Sequence, residues 1–102
     1  MDKQQFDKTT NQQMIHCLWL LEEKAKEYVH SEDRLEHFKS SAELQDINPK
    51  EALWGMVLKH ITSLGGMCRN NNADKDLWIE KISDTINYML LLRALVEEDT
   101  AQ

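Results

Sequence analysis

The run LWIEKISDTINYMLLLRAL, residues 77–95, places Glu80, Asp84 and Asn87 at i, i+4 and i+7 within an otherwise apolar segment. At 3.6 residues per turn the three polar side chains fall on one stripe of a helix, which begins and ends on Leu77 and Leu91. An ionised carboxylate among apolar neighbours is costly unless a cation, a metal ion or hydrogen-bond donors compensate it. The stripe is therefore either the wet face of an amphipathic helix or one wall of a binding site. Two other groups could complete such a site. Lys59 lies one turn beyond Gly55 and interrupts an apolar helix together with His60, and Arg34, His37 and Ser41 recur at i, i+3 and i+7. Arginine, lysine and histidine suit phosphate oxygens, while Asp84 and Asn87 suit the hydrogen-bonding groups of a sugar or base. Tyr88 and Trp54 offer rings for stacking. Each of these groups also has a plain reading as solvated surface, with Lys59 extending its stem along apolar neighbours to reach water.

Four helices must position these residues. One proline, three glycines and no strand-like alternation predict an all-α chain. The first helix is expected from about Asn11 to Val29, where Met14, Leu18, Leu21, Ala25 and Tyr28 recur at coiled-coil-like spacings. Ile15 and Trp19 widen that stripe, so this helix can pack on its own bundle, on a partner subunit, or on both. A second helix is expected from an N-cap at Ser31 to about Leu44, with Leu35, Phe38 and Ala42 on its apolar side. The third carries the clearest start signal in the chain: Asn48 as N-cap, Pro49 at N1 and Glu51 closing a capping box. ALWGMVLKHITSL is apolar nearly all round, which predicts a central buried helix ended by Gly65 and Gly66. Gly55 inside it costs about 1 kcal/mol relative to alanine, which points to close helix approach or to room for a ligand. MCRNNNADKD, residues 67–76, reads as a loop, and the fourth helix starts near Asp74 or Asp76 and frays after Glu97.

These boundaries give a single helical domain over residues 11–97, flanked by flexible segments at 1–10 and 98–102. The net charge of −6 contains no block of like charges, which disfavours DNA, RNA and membrane surfaces as partners. Cys17 and Cys68 lie far apart without CxxC spacing, which argues against a zinc site or a disulfide scaffold and for a reducing, cytoplasmic setting. MDKQQFDKTT lacks the apolar centre of a signal peptide. The apolar surface exceeds what one small bundle hides, so a homodimer or larger assembly is expected to complete the fold.

The run Glu80-Lys81-Ile82-Ser83-Asp84-Thr85-Ile86-Asn87-Tyr88 resembles a helix motif of the MazG-like all-α nucleoside triphosphate pyrophosphohydrolases. Residues 33–95 resemble more closely a group of small phage-encoded MazG-related proteins associated with nucleotide modification. The matching positions are Arg34, His37-Phe38, Lys59-His60 and the run from Asp84 to Tyr88. The resemblance implies a four-helix bundle-like fold, a nucleotide ligand and a site in host cytoplasm. For a hydrolase it also implies a magnesium ion held by carboxylates, here Glu80 and Asp84, which would be the catalytic and metal-binding pair. The chain departs from that pattern: Lys81 stands where the hydrolases carry a glutamate, and residues 54–60 contain no E-x-x-E. The incomplete carboxylate set points away from catalysis. The readings are thus a nucleotide-binding helical protein with Arg34, His37, Lys59, Asp84, Asn87 and Tyr88 as ligand contacts, a magnesium-dependent pyrophosphohydrolase, and an interaction module that inhibits a host protein through Met14, Leu18, Trp19 and Leu21.

Overall fold

A computed structural model describes residues 1–28, 31–70 and 73–100. All regular structure among them is helical: α1 (Lys3–Tyr28), α2 (Glu36–Gln45), α3 (Pro49–Asn70) and α4 (Lys75–Thr100). No helix among the described residues is long and apolar enough to cross a membrane.

Local capping sets most of the helix starts. Asp2 Oδ1 accepts the Gln5 amide at 2.8 Å and Gln5 Oε1 accepts the Asp2 amide at 3.2 Å, a capping box that opens α1 at Lys3, eight residues before the expected start. At α3 the expected box is present, with Asn48 Oδ1 accepting the Glu51 amide at 3.0 Å. Asp74 Oδ1 accepts the Leu77 amide at 2.8 Å and starts α4, which continues through Glu97 to Thr100. Ser31 does not cap α2. Its Oγ accepts the Asp33 amide, and Asp33 Oδ1 accepts the Leu35 amide, so a polar turn delays the helix to Glu36. Gly65 and Gly66 do not end α3: neither adopts a positive φ, and the helix runs on to Asn70 with the Arg69 side chain folded back against Gly65. Residues 71–72 of the expected loop, Val29 at the expected end of α1, and residues 101–102 lie outside the described residues.

The central helix is α4, which packs against α1 on one side and α3 on the other, with α2 lying on α3. Gln13 and Cys17 of α1 meet Ser83 and Asn87 of α4, and Lys24, farther along α1, reaches Asp84. Lys50–Asp99 and His60–Tyr88 run oppositely, so α3 and α4 are antiparallel. Leu35, Phe38, Leu53 and Leu95 form the core, with Met56, Tyr88, Leu91 and Leu92 packed around it. This core lies among α2, α3 and α4. The seam between α1 and α4 is polar instead: Gln13 Nε2 donates to Ser83 Oγ at 2.7 Å, buried Cys17 Sγ to Ser83 O, and Asn87 Nδ2 to Cys17 O at 3.2 Å.

Of the packing options open to the α1 stripe, its first part takes the outward one, with Leu18 and Trp19 each 57% exposed and Met14 and Ile15 exposed beside them, while Leu21 turns inward and lines a cavity. The expected burial of α3 is only partly met. α3 is buried only along Ala52, Leu53 and Val57, while Trp54, Leu58 and Ile61 face outward. Nor is Gly55 pressed by a neighbouring helix, since a Cβ there would meet nothing within 4 Å among the described residues.

Candidate functional site

A cavity of about 280 Å³ opens where the second half of α1, the turn before α2, α2 itself and the middle of α4 converge. Leu21 and Lys24 contribute from α1, Arg34 from the turn, His37 and Phe38 from α2, and Asp84, Asn87, Tyr88 and Leu91 from α4. Of the six candidate ligand contacts read from the sequence, the structure brings Arg34, His37, Asp84, Asn87 and Tyr88 to this one cavity. Lys59 is exposed on α3 and does not line it.

Asp84 is matched by a lysine that sequence reasoning passed over. Lys24 Nζ donates to Asp84 Oδ1 at 2.8 Å, with 15% of the Asp84 side chain exposed. This ion pair offsets much of the cost of drawing the carboxylate from water. The polar stripe on α4 therefore grades along its length: Glu80 is exposed, Asp84 is mostly covered and cation-paired, and Asn87 is 4% exposed.

Arg34 is pinned by its backbone partner. Its Nη2 donates to Leu21 O at 2.9 Å, which ties the turn to α1 and engages one of the five guanidinium N–H groups. His37 stands exposed at the mouth, edge-on to the Phe38 ring at 5.7 Å. Among the described residues, neither Arg34 nor His37 is paired with a carboxylate. The cavity thus carries the Arg34 guanidinium and the His37 imidazole as hydrogen-bond donors, an aromatic and aliphatic wall of Phe38, Tyr88, Leu21 and Leu91, and the buried Asn87.

Behind Tyr88 the His60 ring packs from α3 at 5.2 Å, with its buried Nδ1 unpaired among the described residues. Burial pushes the His60 pKa below its ordinary value. Asp84 opposes that shift, and Lys81, Lys59 and Lys24 reinforce it. Burial also raises the Tyr88 hydroxyl above its usual range; Lys24 works against this and Asp84 with it. At neutral pH both groups are accordingly uncharged.

Lys24 and Asp84 also belong to a neighbouring cleft of about 390 Å³, lined further by His16, Leu20, Asp76, Ile79 and Glu80. They form the partition between the two. Glu80 and Asp84 thus share a cleft, but Glu80 is exposed and one Asp84 oxygen is already engaged by an ammonium group. Among the described residues no group of three or more His, Cys, Asp or Glu side chains is placed to hold a metal ion. Among the described residues, the side chains do not form the carboxylate cage that the resemblance to pyrophosphohydrolases implies for magnesium.

Comparison with protein-family models, with curated proteins and with solved structures finds no match to the chain.

Proposed function

We propose that this chain is a helical nucleotide-binding protein that holds or sequesters a nucleotide or nucleotide-derived molecule in the cavity between α1, α2 and α4. What carries this reading is the convergence of Arg34, His37, Lys24, Asp84 and Tyr88, supplied by three helices and a turn, on a single partly enclosed space. Arg34 and His37 meet the phosphate through charge-assisted hydrogen bonds. The Asp84 oxygen not bonded to Lys24 accepts from a sugar hydroxyl or a base amino group, and the Phe38 and Tyr88 rings cover the heterocycle. Asn87 holds the floor by bonding α1.

A thermal-shift screen against nucleosides and nucleotides tests this reading. A ligand present at 100 times its Kd adds about 2.7 kcal/mol to the native state and raises the melting temperature measurably. Product separation after incubation with magnesium determines whether a bound nucleotide is also turned over. The proposal is lost if no nucleotide raises the melting temperature.

A second reading rests on a different observation. The outward stripe of α1, comprising Phe6, Met14, Ile15, Leu18 and Trp19, is large for a free surface and suits a protein partner, either a second copy of this chain or a host protein.

A further inference from the structure

Building on the nucleotide-binding reading, we infer that the cavity recognises one phosphate and one nucleoside unit, so its ligand class is the nucleoside monophosphate. Three observations lead there. The volume of about 280 Å³ lies just below the usual range of ligand sites, roughly 300 to 1,000 Å³, and suits a single nucleoside rather than a dinucleotide. Burial along the cavity is graded. His37 is exposed and Arg34, three residues before it, is half-buried, whereas Asn87 is 4% exposed, which places an anion on the side of His37 and Arg34 and a ring toward Asn87.

The cations are also few. Three side chains of cationic type line the cavity, but Lys24 is tied to Asp84 at 2.8 Å, which leaves Arg34 and His37 to meet an anion. A first phosphate gains both groups. A second or third would project past the mouth into water, toward a chain whose net charge is −6.

Isothermal titration of adenosine, guanosine, cytidine and thymidine with their 5′-monophosphates and 5′-triphosphates tests the assignment. For the base that binds, the monophosphate is expected to bind at least about tenfold more tightly than the nucleoside, with no comparable further gain for the triphosphate. His37→Ala, at an exposed position, and Arg34→Gln are expected to bring the monophosphate back toward the nucleoside level while leaving nucleoside binding in place. Should Arg34→Gln unfold the turn it anchors, His37→Ala alone decides. Equal affinity for nucleoside and monophosphate, a triphosphate bound tenfold more tightly than the monophosphate, or a phosphate increment that survives His37→Ala each overturns the single-phosphate assignment while nucleotide binding stands. Absence of heat from every member removes both.

Discussion

Asn87 holds the floor of the cavity through one hydrogen bond, from its Nδ2 to the carbonyl of Cys17 across the α1–α4 seam. Replacing it with alanine removes that bond and opens space beside Ser83 and Cys17, and is expected to cost about 1–3 kcal/mol in urea unfolding. An unchanged midpoint would show that this bond gives no net stability, its gain offset by the buried Asn87 Oδ1 that has no partner among the described residues. His60 makes a prediction in pH. Its folded pKa lies below its ordinary value, so the unfolded chain takes up a proton first as pH falls. Stability should be level above about pH 7 and decline as pH drops through 6.5 toward the lower folded value, and His60→Gln should flatten that decline in urea midpoints between pH 7.5 and 5.5. Asp84 and Asn87 were legible in the sequence because each is a polar group at a helical spacing beside apolar neighbours, whereas Arg34 was singled out by a helical spacing although it lies in the turn before α2. Lys24 was not legible, because within LEEKAKEY it reads as solvated surface. Its pairing with Asp84 depends on how α1 crosses α4, which no single helix encodes.

The capping boxes were the most legible elements. Asn48-Pro49-x-Glu51 appears as written, and Asp2-x-x-Gln5 obeys the same chemistry, though without an apolar run beside it to draw attention. Which way each helix faces was harder to read. The apolar stripe of α1 predicts burial by periodicity, but the face turned to α4 is the one carrying Gln13 and Cys17, because their hydrogen bonds to Ser83 and Asn87 specify the pairing. On α3 the open surroundings of Gly55 give a direct prediction. Gly55→Ala meets no neighbour among the described residues and restores helix propensity, so it should stabilise the protein by about 1 kcal/mol and raise Tm by several degrees. A loss of stability in calorimetry would instead place another helix, from a second copy, close against that position.

For the molecule as a whole, the radius of gyration of 15.6 Å exceeds the roughly 13 Å typical of a 100-residue domain. α1 projects along one side of α4, and its outer stripe, together with Trp54, Leu58 and Ile61 of α3, leaves more apolar side chains in water than a free monomer commonly does. We expect light scattering at micromolar concentration to give the mass of a dimer or larger assembly. Leu18→Glu combined with Trp19→Glu, at positions that leave the internal core untouched, should return it to the monomer. A monomer mass for the unaltered chain would eliminate self-association.

The rungs joining α1 to α4 connect positions 70 residues apart in the sequence, whereas α3 and α4 meet as neighbours across a short connection. Joining distant segments costs more chain entropy, and joining adjacent ones costs less. On chain entropy alone the hairpin of α3 and α4 is expected to assemble before α1 joins it, and hydrogen exchange should then find the α1 amides the less protected. Leu21 and Lys24 belong to α1, so a local opening of that helix would unroof the cavity. Peeling back one helix removes a wall while the hydrophobic centre stays intact.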